Sequence, residues 1–372
     1  MSRALLAAAV LHVPPRAEPD RVGLVDATAL PAYDLGAGHP FARDRQEALF
    51  DLMRRHALFS AEDLLPVRPA TEDELRLAHD ADYIAAIKAL SEPHPSPEAL
   101  ARAPRYGMGT ADDPIVPGLH AAAAAVAGGT LCCVRAVLSG ERRAAFHPAG
   151  GLHHAMRAQA SGFCIYNDLV VGIAEALRLG AERVLYVDFD VHHGDGVQAA
   201  FEDDPRVLTI SFHETPLALF PGTGFAEETG RGKGRGTVIN VPLPSYTDSA
   251  GWLAAVRRVL PEAARRFRPD LIVSQHGCDT HATDPLATLR VDVQTMAEAA
   301  GLTRALADEL CDGRWVATGG GGYRPYTVLP RVWAWVWAIL AGRRLPEHLD
   351  EGWRNDWRAR TGEAMPATFA DP

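Results

Sequence analysis

The sequence predicts an α/β fold, a single domain over 1–372 in which a mostly parallel central sheet of about eight strands is flanked by helices. Three observations lead there. Short apolar runs rich in β-branched residues recur along the chain, longer helical patterns lie between several of them, and polar clusters follow the runs at their carboxyl ends. Strands of a parallel sheet are covered on both faces, so they read as continuous apolar runs without alternation. Ligands of such sheets sit beyond the carboxyl ends of the strands, and the polar clusters therefore predict a site at one edge of the sheet, built by long loops.

The first run, "LLAAAVLHV" at 5–13, reads as a buried strand. A short signal peptide is the alternative, but the basic segment before it is weak and no clear small-residue cleavage site follows. Strands are then expected at "AAFHPAGG" (144–151), "VLYVDFD" (184–190), "VLTISF" (207–212), "VINVPL" (238–243), "LIVSQHG" (271–277) and "WVATGGGG" (315–322). Helical patterns cover 167–180, 249–267 and 295–310. The Pro/Gly-rich segments 89–118 and 213–236 read as long loops within one domain, a kind of segment that is often functional.

Composition narrows the function classes. With 37 basic and 47 acidic residues the net charge is −10, which argues against a general nucleic-acid or anionic-membrane surface. Arginine supplies nearly all the positive charge, Lys88 and Lys233 being the two lysines. Five cysteines (Cys132, Cys133, Cys164, Cys278, Cys311) without a CxxC pair point away from a disulfide scaffold and toward a reducing cytoplasm. No run reads as long enough to cross a bilayer.

The polar clusters carry the chemistry. In extended backbone side chains alternate, so Asp188, Asp190 and His192 point one way while Phe189 and Val191 point the other. Asp190 and His192 offer an oxygen and a nitrogen to a metal, and Asp279 and Asp284 in "CDTHATDP" are both candidates for a third ligand. Two carboxylates and one imidazole leave a coordination position open, as a catalytic site requires. Paired His153 and His154 each need a carboxylate to fix a tautomer and tune a pKa, and Asp188 and Asp195 are available for that. Tyr323, closing "GGGGY", can donate a hydrogen bond to a carbonyl oxygen under attack. No Lys or Ser/Thr follows these glycines as a phosphate-binding loop requires. His193 and His276 read as structural histidines, His281 as a residue lining the pocket, and Cys164 and Cys278 as small buried fillers.

Taken together, "AGGLHHAMRAQASGFCIYND", "VLYVDFDVHHGDGVQAAF", "LFPGTG", "DTHATDPL" and "GGGGYRPY" resemble the zinc-dependent histone deacetylases of the arginase–deacetylase superfamily. The resemblance runs from "YDLGAGHPFARDR" at residue 33 to "LPEHLDEGW" ending at 353. "GTADDPIVPG" and "GGGGYRPYTVLPRVW" look most like its bacterial acetoin utilisation protein branch.

The resemblance implies an arginase–deacetylase-type domain that hydrolyses the acetyl amide of acetyl-lysine. It implies zinc on Asp190, His192 and Asp284, with ferrous iron as an alternative metal and Asp279 structuring the loop. His154 with Asp195 would be the general base and acid, His153 with Asp188 a protonated assistant, and Tyr323 the carbonyl polariser. Phe163 and Phe220 would wall the substrate channel, the Gly162 carbonyl would hold the amide N–H, and Asp112 would grip the substrate backbone. A potassium or sodium ion is implied at Asp188 and Ser211, and another at backbone carbonyls around Phe201 and Val207. An acetylated metabolic enzyme, such as acetyl-CoA synthetase, is the implied partner. The chain departs from the pattern at Leu219, where many members carry a second aromatic, and at Leu152, where eukaryotic relatives often carry tryptophan. An acetylpolyamine amidohydrolase, a two-manganese ureohydrolase and a non-catalytic acyl-lysine binder are the rival readings.

Overall fold

A computed structural model describes residues 21–372, so the strand expected at 5–13, and its signal-peptide alternative, lie outside the described residues. Seven strands form one sheet: β1 (Val22–Leu24), β2 (Ala144–His147), β3 (Val184–Asp188), β4 (Val207–Glu214), β5 (Val238–Leu243), β6 (Leu271–Gln275) and β7 (Trp315–Thr318). Their order is β1-β2-β7-β6-β3-β4-β5, and every pairing is parallel. The six internal runs expected from the sequence are β2 to β7, while β1 is three residues long and too short to register as an apolar run.

Alternate side chains of each strand feed two cores on opposite faces. Leu185, Val187, Ile272, Trp315 and Ala317 face the helices Arg45–Arg55, Ser249–Phe267, Val293–Leu310 and Leu329–Ala341. Val184, Tyr186, Leu271, Val273 and Val316 face the helices Ala81–Leu90, Leu119–Leu138 and Asp168–Arg178. Sliding β3 by one residue would exchange Leu185 and Val187 for Tyr186 and Asp188, so the register is strongly specified. The three helical patterns read from the sequence appear as Asp168–Arg178, Ser249–Phe267 and Val293–Leu310, each opened by an Asn or Asp side chain that accepts a hydrogen bond from the first turn.

Two expectations are corrected. Segment 89–118 is not all loop: Ser96 caps a helix at Pro97–Arg102, with Pro97 in its first turn, and a 3₁₀ turn follows at Ala103–Tyr106. The helix Leu119–Leu138 is long and apolar enough to cross a membrane by composition, with a mean hydropathy of 1.8, but 78% of its apolar window is buried in the protein against β2 and the helix Asp168–Arg178. All five cysteines are free, and Cys133, Cys164, Cys278 and Cys311 are buried.

Candidate active site

The strands β2, β3, β6 and β7 lie in the middle of the sheet, and their carboxyl ends deliver the polar clusters to one place. After β3 the chain bends at residues 190–192, where the Asp188 and Asp190 carboxylates accept the N–H groups of Asp190 and His192, and Phe189 and Val191 enter the core while Asp188, Asp190 and His192 gather at the site. All three are buried, at 0%, 1% and 8% exposure. Uncompensated, such a set is costly, so the partners matter.

His153 and His154 meet through their ring nitrogens, Nε2 to Nε2 at 3.0 Å, so one proton lies between them. Their outer nitrogens face separate carboxylates: His153 Nδ1 is 2.8 Å from Asp188 Oδ2, and His154 Nδ1 is 2.6 Å from Asp195 Oδ1. Burial pulls both imidazolium pKa values down. For His153 the charges of Asp188 and Asp190 outweigh burial and hold it at about 9. For His154 burial and the neighbouring His153 charge win, and it falls to about 4. At neutral pH His153 is therefore the cation that donates Nε2–H, and neutral His154 accepts it at Nε2 while its own Nδ1–H is given to Asp195. Asp188 also accepts from Tyr186 Oη at 2.5 Å and from the Asp190 N–H at 3.1 Å.

Beside the histidine pair, Asp190, His192 and Asp279 place one potential ligand atom each within 4.8 Å of one another. His192 Nδ1 lies 3.0 Å from Asp190 Oδ1 and 3.2 Å from Asp279 Oδ2. Asp279 Oδ1 accepts the Val191 N–H at 2.9 Å, whereas its Oδ2 is buried without a well-aligned hydrogen bond. Asp190 Oδ2 is held by Gln275 Nε2 at 2.7 Å and the Gly321 N–H at 2.8 Å. A Cβ at Gly321 would come within 1.9 Å of Asp279 Oδ2, so only glycine lets this backbone approach. Burial, followed by the Asp190 charge, pushes the Asp279 pKa up, and burial does the same to Asp284. Burial lowers His192, but Asp190 and Asp279 outweigh it and hold it at about 10. A proton on His192 thus serves the carboxylates as a cation would. Clustered carboxylates, one imidazole and an orphaned buried oxygen fit a divalent ion.

Asp284, the second candidate for a third ligand, is outside that three-residue set. It is buried, with Oδ2 accepting the Tyr323 N–H at 2.8 Å and Oδ1 the Leu286 N–H at 3.0 Å. Tyr323 is thereby tied to the carboxylate loop. Its hydroxyl pKa is raised well above the ordinary value by burial and then by Asp279, so it remains a donor.

A narrow cleft leads in from the surface, lined by Phe163, His154, His192, Gly162 and Tyr323. The Phe220 ring is 5.0 Å from His154, and the Phe163 ring is 5.8 Å from Tyr323. Gly162 has φ +54°, and a Cβ there would lie 2.5 Å from the His154 ring. Asp112 is exposed at the rim, where its carbonyl faces His39 Nε2 at 3.2 Å. A larger cavity of about 770 Å³ opens elsewhere, between the 27–47 segment, Tyr326 and Arg360, and shares only Phe41 with the cleft. Asp188 and Ser211 are register partners on β3 and β4, and Ser211 Oγ is 2.8 Å from His213 Nδ1. Leu152 is buried under the histidine pair, and Leu219 packs against the core beside Phe220.

His193 and His276 are structural, as expected: His193 bridges Thr223 and Gln198, and His276 meets Ser274. His281 is a correction. Its buried ring turns away from the cleft and toward Asp371, because Thr283 N–H and the Asp371 carboxylate hold both its nitrogens. Sequence reasoning also missed the clamp on the histidine loop. Asp168 accepts from the Gly151 and Leu152 N–H groups and from Thr130 Oγ1, while Asn167 Nδ2 donates to the carbonyls of His153 and Ala155. Asn before a helical pattern is a legible cap, but its second task of gripping the loop is a long-range fact.

Residues 39–340 match the histone deacetylase domain. The chain is 42% identical over 335 residues to acetoin utilization protein AcuC of Bacillus subtilis, covering 90% of this chain and 86% of that protein. It is 35% identical over 352 residues to AcuC of Staphylococcus xylosus, covering 94% and 90%. Among solved structures, a histone deacetylase homologue complexed with SAHA superposes with a TM-score of 0.85 at 31% identity, and one from Aquifex aeolicus with 0.84 at 32%; each covers 95% of both chains.

Proposed function

This chain belongs to the histone deacetylase family, in its acetoin utilisation branch, and from that premise we propose that it is a metal-dependent lysine deacetylase. The observation that carries the reading is the histidine pair: two buried imidazoles whose Nε2 atoms are 3.0 Å apart, one held protonated and one held neutral, beside a carboxylate–imidazole cluster that can hold a metal. A general acid and a general base at one carbonyl are what amide hydrolysis needs.

We assign the ion, zinc or ferrous iron, to Asp190, His192 and Asp284, with Asp279 as the buried carboxylate that braces the set from below. When bound, such an ion supplies polarisation of the acetyl carbonyl and acidification of a water. The chain's own groups do the rest. His154 Nε2 exchanges its hydrogen bond from His153 for the proton of the attacking water, and His153 gives the released Nε2–H proton to the leaving lysine amine. Tyr323 Oη donates to the carbonyl oxygen as its charge grows. Gly162 offers a carbonyl to the amide N–H, Asp112 holds the substrate backbone, and Phe163 and Phe220 flank the aliphatic stem. Burying its four methylenes at about 0.8 kcal/mol each stabilises the complex by about 3 kcal/mol. The same reading places a potassium or sodium ion at Asp188 and Ser211, with a second at carbonyls around Phe201 and Val207. The substrate is an acetylated protein such as a metabolic enzyme, met by a single-domain cytoplasmic enzyme that acts on neither nucleic acid nor membrane.

Acetate release from an acetyl-lysine peptide and from N-acetylputrescine, measured side by side with and without chelator, tests this. Chelator-sensitive turnover of the peptide alone is the expected result. Preference for the polyamine transfers the same chemistry to a small cationic substrate, and turnover of neither overturns the reading.

A further inference from the structure

The loop that carries Asp279 and Asp284 is braced by a residue far along the chain. Asp371 Oδ2 lies 3.0 Å from His281 Nε2 and accepts the Val293 N–H at 2.8 Å. Its Oδ1 accepts from the buried Arg331 Nη1 at 2.8 Å. Its backbone N–H donates to Gln294 Oε1 at 2.9 Å. One carboxylate thus joins three elements: the 278–284 loop, the start of the helix Val293–Leu310, and the helix Leu329–Ala341 that follows the Tyr323 segment. Nearby, Phe369 is buried against His56, and Leu349 N–H bonds the Ala367 carbonyl, so the segment bearing Asp371 is itself anchored.

His281 passes this anchorage to the loop. Its Nδ1 meets Thr283, 2.9 Å from Oγ1 and 3.2 Å from the N–H, while its Nε2 faces Asp371, so both ring nitrogens are held and the ring orientation is set. Its carbonyl accepts the Asp284 N–H at 2.9 Å, and its N–H bonds the Cys278 carbonyl at 3.2 Å, so its backbone sets the turn between the two aspartates. Arg331 extends the brace to the other side, because its Nε donates to the Thr327 carbonyl at 2.6 Å. Asp371 lies outside the matched domain, which ends at residue 340.

We propose that Asp371 is a positioning residue for the metal site: held by Arg331, its carboxylate fixes His281 and through it the loop that presents Asp279 and Asp284. The inference rests on the metal-binding reading above. Asparagine at 371 keeps one oxygen for the Val293 N–H or His281 but turns an amide toward the other partners, and the loop loses its fixed point.

The test is zinc affinity, measured by competition with a chromogenic chelator on the full chain, for the wild type, Asp371→Asn, His281→Asn and the double variant. The exposed ion-pair variant Asp356→Asn is the control. The expected result is zinc binding by the wild type and control alike, about tenfold or more weaker binding in either single variant, and little further loss in the double. Single variants that bind zinc like the wild type, with or without a lower melting temperature, overturn the proposal and leave Asp371 a purely structural anchor. If Asp371→Asn does not fold, His281→Asn decides, because it severs the loop while leaving the Arg331 pair in place. A wild type that binds no zinc overturns the metal reading itself, and this inference with it.

Discussion

Replacing Asp188 with asparagine isolates what sets the two histidines apart. Asp188 Oδ2 is 2.8 Å from His153 Nδ1, which puts the charge centres about 4 Å apart, and at an effective dielectric of about 20 that pair is worth about 4 kcal/mol. At 1.36 kcal/mol per pH unit, neutralising Asp188 lowers the His153 pKa by about three units. From about 9 it falls to about 6, so the proton donor is lost as pH rises through 6 instead of 9. The sign on His154 is opposite. The His153 charge is one of the forces holding His154 at about 4, so once His153 is neutral the His154 pKa rises. The plateau of kcat/KM therefore narrows from both sides, and at pH 8 activity drops by about 10²-fold. A bound dication moves both limbs to lower pH in wild type and variant alike, and the difference between them survives. Tyr186 Oη and the Asp190 N–H donate to different oxygens of Asp188, so asparagine keeps its one oxygen for the Asp190 N–H and offers its NH2 to Tyr186 Oη, which can accept it; a melting temperature close to the wild type is the check that the fold is kept. The assay is acetate release by metal-loaded enzyme across pH 5–10. An Asp188→Asn enzyme that loses activity equally at every pH, its alkaline limb unmoved, would falsify the assignment of His153 as the acid.

Other changes have equally definite outcomes. Tyr323→Phe removes the hydroxyl donor while keeping the ring against Phe163, and turnover should fall by about 10²-fold or more with little change in peptide affinity, read from single-turnover kinetics. Gly162→Ala puts a Cβ 2.5 Å from the His154 ring at a backbone φ of +54°; turnover should fall by about 10²-fold while circular dichroism stays native. Asp284→Asn should abolish zinc binding, whereas Asp279→Asn should weaken it yet leave one ion bound per chain, as counted by plasma emission on dialysed protein. Zinc binding should release protons, because His192 sits at about 10 and the Asp279 and Asp284 carboxyls are raised. Calorimetry in buffers of differing ionisation enthalpy should find more protons released at pH 5.5 than at pH 8, with affinity rising as pH rises.

What was legible in the sequence was what is local. The runs behind β2 to β7 are continuous because both faces of a parallel sheet are covered, and that property is written in consecutive residues. The D-x-H pair and the paired histidines were visible for the same reason, since alternation in extended backbone follows from spacing alone. Partners distant in sequence were not. Gln275 and Gly321 hold Asp190 from other strand ends, Asp168 grips the histidine loop from a helix start, and Asp371 meets His281 across 90 positions. His281 looked like a pocket residue because it stands between two aspartates. A loop of alternating turns points neighbouring side chains in different directions, and only tertiary packing decided that its ring faces away. The choice between Asp279 and Asp284 has the same origin, since both lie on one loop within reach of His192 and spacing ranks neither first.

The placement of charge explains why this fold keeps so costly a centre. Asp188, Asp190, Asp195, Asp279 and Asp284 bring five carboxylates into a largely dry space at the ends of neighbouring strands. Hydrogen bonding compensates part of that burial, through Tyr186, Gln275 and the N–H groups of Val191, Gly321 and Tyr323. The rest must be met by positive charge, and the chain offers little of it there. Arg45, the buried guanidinium nearby, is turned to the Gly320 carbonyl and the rings of Phe41 and Trp333, and reaches no carboxylate. That leaves His153 and His192, whose protons are retained to high pH by these same carboxylates. The two imidazolium charges are not equivalent. His153 faces Asp188, outside the proposed metal set, so an ion need not take its nitrogen, although neutralising Asp190 removes part of the charge that holds its proton. His192 holds its proton at the nitrogen that faces both Asp190 and Asp279, so a divalent ion must displace it. On the proposed reading, one of these cations serves as the acid and the other gives way to the metal.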